Sequence, residues 1–172
     1  NWQRLSHGGK FHALLATSSI PEAIAYYRLM KQEMPELKVS ALFDPNFDNV
    51  EGVNYKGEGL LEVLEDYNRL FQQSFDAGSH GKFKKDVSHR LAHKEQYKQI
   101  DRDKSQQLDL LIVVEQMLTG FDSKWLNTLY LDKLQKYEHI IQAFSRTNRL
   151  FGPEKPFGSI RYYRKPHTME RN

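Results

Sequence analysis

Leu108–Gln116 reads LDLLIVVEQ, and the fold turns on that run. Leu110 to Val114 are aliphatic without a break. A strand with one wet face alternates, and an amphipathic helix interrupts its apolar residues every third or fourth position. A short unbroken run is the signature of a strand buried on both faces, as in parallel sheets. Downstream, MLTGFDSKW (117–125) turns the chain and LNTLYLDK (126–133) reads as another strand. Upstream, KFHALLATSS (10–19) is an apolar run ending in hydroxyl residues. SIPEAIAYYRLMKQEM (19–34) follows, with Ser19 and Glu22 at capping-box spacing, Pro21 in the first turn, and Ala23, Ile24, Tyr27, Met30 and Met34 at helical spacing. Pro35 ends that helix, and LKVSALF (37–43) is the next strand.

The remaining elements keep the alternation. DPNFDNVEGVNYKGEG (44–59), rich in Gly, Asn and Asp, reads as an irregular excursion. Leu60, Leu64, Tyr67, Phe71 and Phe75 mark an amphipathic helix, stopped by DAGSHG (76–81). A polar helix over 82–99 turns Phe83, Val87, Leu91 and Tyr97 inward, and DRDKSQQ (101–107) is a charged loop. After a helix over 140–150, GPEKPFG (152–158) breaks the chain and SIRYYRK (159–165) gives a last strand. The expected fold is α/β: a mostly parallel sheet with helices on both faces, a single domain over 1–172, a helical excursion over 58–99 and a frayed basic tail at 165–172.

Composition sets the limits. The 172 residues carry a net charge of +3 with pI near 9.0, which permits a polyanionic partner without requiring one. With no cysteine there is no disulfide framework and no thiolate metal site. No apolar run approaches membrane-spanning length, and the start, NWQRL, has no signal-like region. The chain reads as a piece of a longer cytoplasmic polypeptide.

The helix IIQAFSRTNRL (140–150) carries a polar line. Gln142, Arg146 and Arg149 fall within about a sixth of a turn at ~100° per residue. No acid lies four residues from either arginine to pair it. Arginine presents a planar fork suited to phosphate oxygens. The helix also follows a buried strand and a Gly turn, and open α/β sheets bind ligands at the carboxyl ends of their strands. The alternative is a solvated helix face.

QAFSRTNR resembles the sixth motif of superfamily-two helicases and translocases, with Ser145 in place of the usual glycine. LLIVVEQMLTGFDSKWLNTLYLDK is similar to their fifth motif, and ALLATSS with its helix resembles the fourth. Order and spacing match the second RecA-like domain of that superfamily over nearly the whole chain. Ser145, Thr147 and Asn148, together with FKKDVSHRLAHK, narrow the resemblance to the R (restriction) subunit of type I restriction enzymes.

That resemblance implies a RecA-like fold and half of an ATP-driven motor on duplex DNA. ATP and Mg2+ would be held mainly by the first RecA-like domain, which this chain lacks along with the nuclease domain. Arg149 would act as arginine finger and Arg146 as a second γ-phosphate contact. Gln142, Gly120 and Asp122 would line the nucleotide cleft. Thr119, Thr17 and Ser18 would touch DNA phosphates, contacts that carry no sequence information. Partners would be the upstream domains and the methyltransferase and specificity subunits. Alone, this chain would neither hydrolyse ATP nor cut DNA. Structural readings stay open for several residues: Gly120 as a turn glycine, Asp122 as a cap, Thr17 and Ser18 as part of the helix cap. So do a different superfamily-two motor and a non-catalytic nucleic-acid- or protein-binding domain.

Other signals are set aside. His89 and His93 have metal-ligand spacing but no third ligand. HGGK (7–10) lacks phosphate-loop spacing, and Asp122-Ser-Lys124 lacks the second acid of a nuclease site. Lys124 reads as solvated. Tyr162 and Tyr163 beside Arg161 and Arg164 read as one inward tyrosine and a surface basic pair.

Overall fold

The computed structural model describes residues 2–44, 53–114, 123–132, 149 and 151–163. The run that opened the sequence reading is β3 (Leu110–Val114), with all five residues buried. It lies between β1 (His12–Thr17) and β2 (Val39–Leu42), and β4 (Leu126–Asp132) and β5 (Ser159–Tyr162) continue on the far side of β1. The order is β2-β3-β1-β4-β5, with every pairing parallel. A five-stranded parallel sheet with helices around it is the expected α/β, RecA-like class of architecture.

The first described helix, α1 (Trp2–Leu5), is a single turn absent from the sequence expectation. α2 (Ile20–Glu33) packs over β1, β3 and β2 through Ile20, Ala23, Ile24 and Tyr27. Its N-cap is Ser19, whose side chain accepts the Glu22 N–H at 3.3 Å. The reciprocal bond shifts by one residue: the Glu22 carboxylate accepts the N–H of Ser18, not of Ser19, at 3.0 Å.

Two boundaries differ from expectation. α3 spans Val53–Phe71, so the helix takes in much of the glycine-rich stretch read as irregular. The reason is close packing. A Cβ on Gly59 would lie 2.8 Å from Cγ1 of Ile24, so this glycine lets α3 settle onto α2. α4 spans His80–Ala92 and stops short of the expected 99. His93, at φ 51°, ends it in the left-handed conformation. Short 3-10 turns then occupy 95–97, 100–102 and 104–106. The 165–172 tail and the 140–148 helix fall outside the described residues.

A buried polar hub holds the excursion together. The Arg90 side chain is fully buried. Its guanidinium donates to the Tyr67 hydroxyl (2.9 Å), the Tyr97 hydroxyl (2.8 Å) and the Gln106 carbonyl (2.6 Å), and lies 3.5 Å from Asp86. It also sits 3.8 Å from the Phe71 ring centroid. Asp86 accepts the hydroxyls of Tyr67 at 2.7 Å and Tyr97 at 2.6 Å. A buried charge survives in a low-dielectric core only when paired and hydrogen-bonded in this way. The hub joins α3, α4 and the two flanking turns at residues far apart in sequence.

Candidate functional site at the carboxyl edge

Strand order locates the site. The chain leaves β1 towards β2 on one side, and leaves β4 towards β5 on the other, although β1 and β4 are neighbours. Their carboxyl ends form the switch point where open α/β sheets bind ligands. The register there pairs Thr17 with Asp132. The connection carrying the fourth-motif turn (Thr17–Ser19) therefore starts beside the one leading, in sequence, to Gln142, Arg146 and Arg149.

Thr17 is buried, and its hydroxyl lies 3.3 Å from both the Val113 and Ser19 carbonyls. It clips β1 to β3 and to the turn. Ser18 is exposed, and its hydroxyl reaches the Asp132 carbonyl at 3.5 Å, the long limit of a hydrogen bond. A phosphate arriving at the Ser18 amide meets the Glu22 carboxylate already there. Of the two hydroxyls expected to face DNA, only that of Ser18 is open to solvent.

Arg149 is exposed. Gln142, Arg146, Gly120, Asp122 and Thr119 lie outside the described residues. Among the described residues, no group of three or more His, Asp or Glu side chains is arranged to hold a metal ion, and no helix is long and apolar enough to cross a membrane.

Two residues at this edge were not singled out from sequence. Asp132 ends β4 and is 6% exposed. Its carboxylate accepts the Tyr26 hydroxyl at 2.6 Å, a short charge-assisted bond. The only local signal was an acid closing the otherwise apolar strand LNTLYLD. Its partner lies 106 residues away. Tyr26 also borders an open, mainly apolar groove of about 440 Å³ with Met30, Met34, Tyr130 and Tyr163. Tyr163 is exposed and Tyr162 partly buried, the one-in, one-out arrangement expected.

The opposite edge of the sheet is dry and aromatic. His93 stacks on Trp125 at 4.0 Å and 14°, and burial pushes its pKa down to about 4. His12, at the start of β1, is pushed down to about 3, chiefly by burial, with His93 and Lys155 adding to the effect. The buried ammonium of Lys155 donates to the Lys124 carbonyl at 3.0 Å, and burial lowers its pKa to about 8. Lys124 lies 5.0 Å from the Phe151 ring and 5.5 Å from that of Trp125, so it is an aromatic contact and not simply a solvated lysine. His93 is likewise an aromatic partner and helix stop.

With this geometry in hand, the relatives can be compared. The family described as type I restriction enzyme subunit R, domain 3, matches residues 9–165. A type I restriction enzyme endonuclease subunit of Staphylococcus aureus (strain MRSA252) is 37% identical over 95% of this chain and 18% of its own length. The corresponding subunit of Staphylococcus saprophyticus is 36% identical over the same shares. A putative type I endonuclease subunit of Methanocaldococcus jannaschii is 47% identical over 30% of this chain and 5% of its own. The chain thus spans under a fifth of the length of the first two relatives.

Proposed function

The chain belongs to the type I restriction enzyme subunit R domain 3 family, and we propose that within the parent subunit it is the second RecA-like domain of a motor that translocates duplex DNA before cleavage. ATP and Mg2+ sit mainly on the first RecA-like domain. Arg149 closes over the γ-phosphate as an arginine finger, Arg146 makes a second contact, and Gln142, Gly120 and Asp122 line the cleft. Ser18 and Thr119 hold DNA phosphates, and Thr17 positions the turn that presents Ser18. The parent works in the cytoplasm, in complex with methyltransferase and specificity subunits. These 172 residues alone neither hydrolyse ATP nor cut DNA.

The observation that carries this reading is the pairing of Thr17 with Asp132 at the switch point. It brings the turn proposed to touch DNA beside the root of the segment proposed to touch ATP. A motor needs those two contacts mechanically close, because hydrolysis in one must move the other.

The test is ATP hydrolysis by the full subunit in its complex, with and without long duplex DNA, for wild type and Arg149→Ala. Removing an arginine finger lowers the rate by roughly 10³-fold or more. The reading fails if Arg149→Ala hydrolyses ATP at the wild-type rate while folded.

A further inference from the structure

The β1–β4 ladder ends at the Thr17 and Asp132 pair. Beyond it, two side-chain bonds bridge the diverging connections: Ser18 hydroxyl to Asp132 carbonyl, and Tyr26 hydroxyl to Asp132 carboxylate. Tyr26 is the seventh residue of α2, so its bond grips the body of the helix about 9 Å beyond its first residue, at ~1.5 Å per residue. Asp132 thus meets the Ser18 turn through its backbone and α2 through its side chain, while its own chain continues to Gln142, Arg146 and Arg149.

Packing alone does not call for a buried carboxylate at that place, since an apolar pair would serve. A hydrogen bond differs in being directional and in breaking at modest net cost. There is also somewhere for the tyrosine to go, because Tyr26 borders the groove of about 440 Å³. A tie that is ordered when made and has room to open is an element with two arrangements, which is what coupling between sites requires.

We infer that Tyr26 and Asp132 are positioning residues that couple the DNA-facing Ser18 turn to the ATP-facing arginine segment. The inference rests on the motor reading above. With DNA on Ser18, the tie holds β4's exit in the orientation from which Arg149 reaches the nucleotide. Without DNA, Tyr26 swings into the groove and the segment is released. Neither residue touches ATP or DNA in this account.

The experiment uses the full subunit assembled with its methyltransferase and specificity subunits, and measures ATP hydrolysis with and without long duplex DNA. Four single variants are compared: Tyr26→Phe, Asp132→Asn, Asp132→Leu and Arg149→Ala. Tyr26→Phe is expected to lower the ratio of DNA-stimulated to DNA-free hydrolysis by about tenfold, within the usual range of coupling between sites, with the KM for ATP unmoved. Asp132→Asn keeps an acceptor oxygen and retains most of the ratio. Asp132→Leu matches Tyr26→Phe, and Tyr26→Phe combined with Asp132→Leu is no worse than either alone. A ratio unchanged in Tyr26→Phe while Arg149→Ala is inactive overturns the coupling and leaves the motor standing. Equal loss of DNA-free and DNA-stimulated rates in Tyr26→Phe makes the bond merely structural and also overturns it. Full activity in Arg149→Ala overturns both.

Discussion

Replacing Arg90 with methionine tests whether the helical excursion hangs on its buried charge. Methionine approximates the length of arginine and fills most of its volume, so the change removes charge and donors more than bulk. Asp86 then keeps the hydroxyls of Tyr67 and Tyr97 but loses the cation 3.5 Å away. The Gln106 carbonyl loses a 2.6 Å donor, and the Phe71 ring its stacked guanidinium. Breaking one side of a buried ion pair costs about 3–5 kcal/mol, because the remaining charge stays buried. For a domain of this size, 1 kcal/mol moves the melting temperature by ~2–4 °C, so the expected fall is on the order of 10 °C. Urea titration and calorimetry of wild type, Arg90→Met, Asp86→Asn and the double variant give the cycle. If the pair acts as a unit, the double variant is more stable than the sum of singles requires, by about 1–3 kcal/mol. Arg90→Met within 1 kcal/mol of wild type, or strict additivity, refutes the reasoning.

Two adjacent glycines of α3 should respond in opposite directions. Gly57→Ala meets nothing within 4 Å and should gain about 1 kcal/mol from helix propensity, whereas Gly59→Ala drives a Cβ into Ile24, with an overpacking cost of about 1–3 kcal/mol outweighing that gain; denaturant midpoints compare them. Acid should unfold the chain early. His12 and His93 titrate near 6.5 when unfolded, against about 3 and about 4 when folded, so below pH 6.5 the unfolded state binds more protons and stability falls, with His12 alone removing up to ~1.4 kcal/mol per pH unit; fluorescence of Trp125, stacked on His93, follows it, and His12→Gln should flatten the slope. Alkali should weaken the hub. Burial raises the Tyr97 hydroxyl to about 12 and that of Tyr67 further, so above pH 10 the unfolded state sheds protons that the folded state keeps and stability falls; Tyr97→Phe should reduce that slope in tyrosinate absorbance against pH.

What the sequence disclosed follows the range of the interactions involved. The parallel sheet was legible because LDLLIVV states its own burial without reference to any other segment. The α2 cap was legible to within one residue, because Ser19 and Glu22 are neighbours and only the partner amide differed. Gly59 misled because a glycine allowing a turn and a glycine allowing close approach look alike until the opposing side chain is known. Asp86 and Arg90, four apart on α4, read as a surface pair. Their burial depends on Tyr67, Phe71 and Gln106, none of them on α4. At the site, the fourth-motif turn was placed correctly on the carboxyl edge by the strand–turn–helix pattern. Tyr26 and Asp132 carried no local sign of meeting, since parallel strands bring together residues from opposite ends of the chain.

α2 is gripped from both sides by one kind of bond, and that bears on how the domain transmits force. Tyr26 and Tyr27 are consecutive, about 100° apart around the helix, and both hydroxyls donate to carboxylates. Tyr26 reaches Asp132 at the end of β4 and Tyr27 reaches Asp66 on α3 at 2.7 Å. Asp66 is held in turn by Lys31 and Arg69. Through α3 the grip continues to Tyr67 and the Arg90 hub. A chain of directional polar contacts therefore runs from the excursion, through α2, to the switch point. Apolar packing allows a helix to slide by a fraction of an ångström at little cost. Paired phenol–carboxylate bonds on two sides resist rotation and translation together. If α2 relays motion from the Ser18 turn, it does so as a rigid bar with Tyr27 as the fixed end and Tyr26 as the end that can let go, because the Tyr27 hydroxyl is buried against α3 while Tyr26 faces an open groove. Tyr27→Phe should then cost stability without altering the ratio of DNA-stimulated to DNA-free ATP hydrolysis in the full subunit, the reverse of Tyr26→Phe. Equal effects of the two substitutions on that ratio would place the relay elsewhere in the fold.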